Sequence, residues 1–127
     1  MLVDDIIVFL EENGYANVYR TLYPPDPAEI ISVHEREGPM ALGPRSINYG
    51  MQARPIQIRV RREKIEDAEA VAWKLFDLFD SGPDEETIQL TEERTVTARP
   101  RVPFFFELDE RRRGSYSLKL TVHTNKP

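Results

Sequence analysis

The segment Pro55–Phe79, PIQIRVRREKIEDAEAVAWKLFDLF, changes its hydrophobic period within a few residues. Ile56, Ile58 and Val60 alternate with Gln57, Arg59 and Arg61, the two-residue period of a half-buried strand. From Ile65 onward the period is that of a helix. Ile65, Ala68, Ala72, Leu75, Phe76 and Phe79 recur three and four residues apart and place an apolar stripe on one side. Ser81-Gly82-Pro83 ends that helix, through a glycine cap and a proline that disfavours helix before it. Such a strand needs a sheet to join, and such a helix needs a sheet face to cover. Trp73 and Leu78 project from opposite flanks of the stripe, each about 110° from its centre at 100° per residue. Each fits either the margin of a core or contact with another subunit.

The final third reads as strands. ETIQLTEE is a weak one, RTVTARPRVPFFF a stronger one interrupted by Pro100 and Pro103, and SYSLKLTVHT a strict one. In the last, Tyr116, Leu118, Leu120 and Val122 face one way and Ser117, Lys119, Thr121 and His123 the other. FFFEL, DERRRG and SYSLKLTV together predict an antiparallel hairpin with the arginines at its tip and glycine as the turn residue. Phe104 and Phe106 share a face that can join the core, while Phe105 points the other way.

Near the start, VDDIIVFLEENGY predicts a short amphipathic helix. Asp4 or Asp5 is its N-cap, Ile6, Ile7, Phe9 and Leu10 lie on about one face, and Asn13-Gly14 is its stop. NVYRTLY and EIISVHERE are strand candidates, separated by the proline-broken YPPDPAE. Residues 38–53, GPMALGPRSINYGMQA, have no usable period and predict a long loop. Its apolar Met40, Leu42, Ile47, Tyr49 and Met51 suit either folding back on the domain or ordering against a partner.

With 127 residues, one domain spanning 1–127 is expected, and 40% hydrophobic residues are enough for a folded core. There is no cysteine, so disulfides and thiolate metal sites are excluded. The apolar run Ile6–Leu10 is far shorter than the ~20 residues of a membrane span, and Asp4 and Asp5 precede it where a secretory signal is basic. The chain is therefore expected to be made and kept in the cytoplasm, without membrane contact.

A net charge of −5 opposes general affinity for a polyanion. Arg111, Arg112 and Arg113 are offset by Glu107, Asp109 and Glu110, which suits a solvated tip or a complementary protein surface better than a phosphate backbone. Arg54, Arg59, Arg61, Arg62 and Lys64, opposed only by Glu63, form a second basic cluster. Arg59 and Arg61 share one side of their strand, with Glu35 or Glu37 as expected cross-strand partners; the rival reading is a charge-complementary interface. His34 and His123 have no metal-ligand spacing, and no phosphate loop, nucleophile elbow or zinc signature occurs. Neither an enzyme nor a cofactor is expected.

In order and spacing, the DDI-bearing helix, Pro55–Arg61, Ile65–Phe79, and Pro103 with Asp109 and Glu110 before Tyr116–Val122 resemble the minor capsid or tail-terminator family of tailed bacteriophages. The resemblance implies an α+β single domain, with two helices packed on a mainly antiparallel or mixed sheet. It further implies a virion protein that forms a homo-oligomeric, hexameric ring. The ring caps the tail tube and joins it to the head connector or completion protein, DNA passing through without specific recognition. The acidic balance suits a non-adhesive lumen. Interface candidates are then Met40, Leu42, Ile47, Tyr49 and Met51 of the loop, Arg59 and Arg61 of the basic strand, Trp73, and Arg111, Arg112 and Arg113 of the tip. The alternative is an intracellular adaptor or nucleic-acid-binding domain working through the basic strand 54–64.

Overall fold

A computed structural model describes residues 1–36, 40–41 and 52–124. The elements in chain order are α1 (Leu2–Glu12), β1 (Val18–Arg20), β2 (Ile30–Glu35), β3 (Met40–Ala41), β4 (Gln52–Arg62), α2 (Ile65–Leu78), β5 (Ile88–Thr91), β6 (Arg94–Pro100), β7 (Phe104–Leu108) and β8 (Gly114–Thr124). The strands form one curled mixed sheet in the order β1-β2-β4-β8-β6-β5, with β3 beside β4 and β7 beside β8. Only β1 and β2 are parallel; the other described pairs are antiparallel. The fold class is α+β, as the residues predict.

The long strands β4 and β8 are the centre of the sheet, paired from Gln52↔Thr124 to Arg62↔Gly114. Their alternation puts Ile56, Ile58, Val60, Leu118, Leu120 and Val122 on one face, where they are buried together with Leu2, Ile6 and Leu10 of α1 and with Leu75 and Phe79 at the end of α2. Both helices therefore cover the same face. Pro55 sits inside this central strand, where a missing N–H normally breaks the ladder. The gap is accommodated because β3 pairs with β4 only as far as Ala53, the pairing of β2 with β4 starts at Ile56, and the Pro55 carbonyl receives the Arg36 N–H at 3.0 Å.

β6 and β7 lie one after the other along the same side of β8, from Thr97↔His123 to Leu108↔Gly114. They are one strand interrupted at Pro103, as the two prolines predict, and the Arg101 N–H still reaches the Lys119 carbonyl at 2.8 Å within the interruption.

Helix α1 starts one turn earlier than its acidic pair suggests. Met1 is the N-cap, and Asp4 and Asp5 lie in the first turn. Their carboxylates reach out to the sheet: Asp4 to Arg20 of β1 at 3.1 Å, Asp5 to Arg94 of β6 at 2.5 Å. Two consecutive residues thus tie α1 to two well-separated strands, and the helix also contacts β5. Asn13 forms the C-cap and Gly14, at φ +91°, carries the left-handed turn.

Three expectations about the core change. Phe76 is only partly buried, because the stripe of α2 is centred on Ala68, Ala72 and Leu75 and continues into Phe79. Phe104 and Phe106 do not enter the core: they lie on the sheet face that the helices leave uncovered. Within residues 38–53, Met40 and Ala41 form β3, and Gln52 and Ala53 already belong to β4. Leu42, Ile47, Tyr49 and Met51 lie outside the described residues.

Candidate interaction surfaces

The side of β4 expected to face solvent is largely covered. Arg61 is 2% exposed and Gln57 6%. The cover over Arg61 is the proline segment 23–28. Its Nη2 donates to the Pro24 and Pro27 carbonyls, both at 2.7 Å, and its Nε to the Ala28 carbonyl at 2.9 Å. A segment rich in proline has few N–H groups with which to build its own turns, so a planar guanidinium that satisfies several carbonyls at once fixes its path. The Tyr23 ring lies 5.1 Å from the Arg61 guanidinium, and its hydroxyl hydrogen-bonds the Ser115 hydroxyl. Burial holds the Tyr23 phenol above its ordinary pKa and Arg61 below its own.

The three arginines at the hairpin tip divide. Arg113 is 8% exposed and folds back onto the same proline segment, donating from Nη1 to the Pro25 carbonyl at 2.7 Å and from Nε to Asp109 at 2.6 Å. Asp109 Oδ1 accepts the Arg111 and Arg113 N–H groups, both at 2.9 Å, and so closes the turn. Burial alone would raise the Asp109 pKa; the Arg113 backbone and side-chain bonds and the Arg111 backbone bond outweigh it and hold the carboxyl below its ordinary value. Arg111 reaches Asp26 at 3.2 Å on the surface. Arg112, exposed, adopts the left-handed conformation at φ +62°. The turn therefore runs through Arg112 and not through Gly114, which belongs to β8.

Arg59 stacks on Phe106, 4.3 Å from the ring centroid, and lies 5.7 Å from that of Tyr23. Its expected acidic partner, Glu35, is on the other face of the sheet, engaged with Arg54 at 2.7 Å, and Glu37 lies outside the described residues. Arg62 bonds the Ile30 and Arg61 carbonyls and approaches Glu29 at 4.0 Å. The arginines of β4 thus point to alternate faces and are mostly engaged internally, so the strand presents no continuous basic face of the kind nucleic-acid binding requires.

The exposed apolar surface lies elsewhere. Trp73 is 40% exposed and tilts against Phe76 at 5.2 Å between ring centroids, whereas Leu78, on the opposite flank, packs against the core. Glu69, one turn before Trp73, accepts the Tyr116 hydroxyl at 2.8 Å, and Tyr116 meets the Phe105 ring edge-on at 6.4 Å. The Trp73 flank therefore looks toward β7, where Phe105 and Leu108 are each 51% exposed; Phe104, 41% exposed, lies on the opposite face of the sheet. This grouping was hidden from sequence reading because its members come from a helix flank and from a strand assigned to the core.

No group of three or more His, Asp or Glu suited to a metal occurs among the described residues. One open concavity, lined in part by Asp5, Glu12, Glu92 and Glu93, is acidic. No described helix is long and apolar enough to cross a membrane.

Two helices on one face of a curled mixed sheet, with exposed aromatics along one edge, make this a small α+β domain. The sequence pattern of the bacteriophage tail terminator protein family matches residues 9–126, and the chain belongs to that family. No curated protein matches the chain. Membership gives a structural role in the phage tail, as a virion component that contacts other tail proteins, in a family that is not normally enzymatic.

Proposed function

We propose that this protein is a tail terminator that closes as a homo-oligomeric ring, of hexameric size in the assembled particle, on the head-proximal end of the tail tube and joins it to the head connector or completion protein. The observation that carries the reading is the family match, which extends over residues 9–126 of a 127-residue chain. The exposed aromatic edge at β7 supports it, because an unpaired apolar strand edge on a lone soluble protein invites association unless a partner covers it. A ring requires two different surfaces on each subunit, one meeting the other around the circle. The domain expected over 1–127 is taken as the repeating unit, and Trp73 as an interface residue. Arg111 and Arg112 are interface candidates too. Arg61 and Arg113 serve assembly indirectly, by shaping the surface around the hairpin, and Met40, Leu42, Ile47, Tyr49 and Met51 keep their candidacy as contact residues.

The test combines native mass spectrometry of the purified protein with electron microscopy of its mixture with purified tail-tube protein. Discrete closed oligomers and tubes capped at one end are expected. A chain that stays monomeric with and without tubes, and leaves their length distribution unchanged, would overturn the reading.

A further inference from the structure

The strands together hold two carboxylates: Glu35, which engages Arg54 on the helix-covered face, and Glu107, which register puts on the open face. On that open face Arg59 of β4 stands diagonally from Lys119 of β8, because Arg59 pairs with Ser117 and Gln57 with Lys119. Neither cation meets an acid. The Arg59 guanidinium lies over the Phe106 ring at 4.3 Å, its Nε without a hydrogen-bond partner among the described residues, and the Lys119 ammonium lies over the Phe104 ring at 5.4 Å. An aromatic ring orients a cation without neutralising it, so both charges stay available. Arg101 extends the strip, its N–H on the Lys119 carbonyl, and Arg36 follows Glu35 at the end of β2 and so alternates to the open face. None of these four side chains has an ion pair among the described residues, whereas Arg99 is taken by Glu85.

The outer side of the helix layer is the reverse. Ala68, Ala72 and Leu75 turn α2 onto the sheet, which leaves Glu66, Ala70, Trp73 and Asp77, at helical spacing, as its exposed ridge. Alanine and tryptophan are in the middle of the ridge with a carboxylate at each end, and neither carboxylate has an ion pair among the described residues. Asp67 and Glu69 flank it, Glu69 accepting the Tyr116 hydroxyl, and Lys74 is the single base of the helix. Glu66 and Asp77 are about 16 Å apart along the helix axis. Arg36 and Arg101 are separated by three strand spacings, about 14 Å, across β2, β4 and β8.

We propose that the exposed ridge of α2 docks across the open sheet face of the next copy, Glu66 and Asp77 meeting the cationic strip and Trp73 meeting the exposed Phe104 and Val102. The occupant is a second copy because the complement of the open face, in charge and in span, is carried by the same chain. The sheet itself lies between the two surfaces, so they cannot meet within one molecule. Repeating the contact adds copies head to tail, the arrangement that closes into a ring. This docking rests on the ring reading above and specifies which surfaces make it.

A charge exchange tests it. Arg101→Glu with Lys119→Glu, and Glu66→Lys with Asp77→Lys, change side chains outside the core and are expected to leave circular dichroism unchanged. Each double variant alone sets like charges together at every contact and should lose the assembled species in native mass spectrometry. An equimolar mixture should recover it, the two variants alternating, because each then offers the charge the other lacks. The chain has no cysteine, so Ala70→Cys and Val102→Cys place single thiols without background; mixed and treated with a short bis-maleimide they should give covalent dimers, and far fewer when treated separately. Assembly that persists in both double variants, or a mixture of the two that stays dissociated, would overturn the docking and leave the ring reading standing. Binding of the native chain to duplex DNA at low salt, lost in the Arg101→Glu, Lys119→Glu variant, would overturn it in favour of phosphate on the open face. A native protein that stays monomeric alone and on tubes would overturn both readings.

Discussion

Gly114 and Ile65 are pressed together where β8 begins and α2 starts: a Cβ on Gly114 would stand 2.6 Å from the Ile65 Cα. Both ends of this contact are backbone, so neither can rotate away. Gly114→Ala should destabilise the protein by about 1–3 kcal/mol through overpacking. A urea midpoint equal to that of the native chain would show that α2 can shift at no cost.

Arg61 and Arg112, both arginines near the hairpin, should differ sharply. Arg61→Ala removes three hydrogen bonds to proline-segment carbonyls and should cost about 2–4 kcal/mol, with Arg61→Lys intermediate because one ammonium cannot span the same three acceptors. Arg112→Gly should leave stability unchanged or raise it slightly, since glycine adopts φ +62° without strain. Denaturant unfolding of the three variants checks the order, and equal losses at Arg61 and Arg112 would contradict it. Changing Arg111, Arg112 and Arg113 together is a poor probe of assembly, because Arg113 holds the turn.

Phe79→Ala should cost about 3–5 kcal/mol and Phe76→Ala clearly less, because Phe79 is fully buried beyond the end of α2 while Phe76 shares a half-exposed flank with Trp73. Trp73→Ala should change the stability of the monomer least of the three. Thermal unfolding of the isolated chain orders them, and a larger loss at Phe76 than at Phe79 would place the centre of the stripe on Phe76.

Stability should fall on mild acidification. His34 titrates below its ordinary value through burial first and then Arg59 and Arg36, against a weaker opposing hydrogen bond from Gln57. His123 does so through burial and Arg99, against Glu85. As pH drops below about 6.5 the unfolded chain takes up these protons before the folded one, so stability present above that pH is lost through the folded pKa values below it. The urea midpoint should be lower at pH 5.5 than at 7.5, and His34→Gln with His123→Gln should flatten the difference. A midpoint that rises on acidification across this range would reverse the assigned sign.

Local periodicity was enough to place both helices, the strand from Pro55 to Arg61, the broken strand before the hairpin and the final alternating strand, because each is a repeating demand of one apolar face along a contiguous segment. The order of those elements was also enough to suggest the tail-terminator family. Periodicity could not say what lies over the second face of β4, since the cover over Arg61 comes from residues more than thirty positions away in the chain. Nor could three adjacent arginines reveal that one of them folds inward onto a distant carbonyl. The turn glycine was misplaced for a related reason: whether Gly114 is needed for its φ or for its lack of a side chain depends on Ile65, brought next to it only by the packing of α2 on β8. Sequence determined the elements and their inward faces; tertiary structure decided which charges are engaged and which aromatics stay uncovered, because pairing and burial are set by neighbours across the sheet and not along the chain.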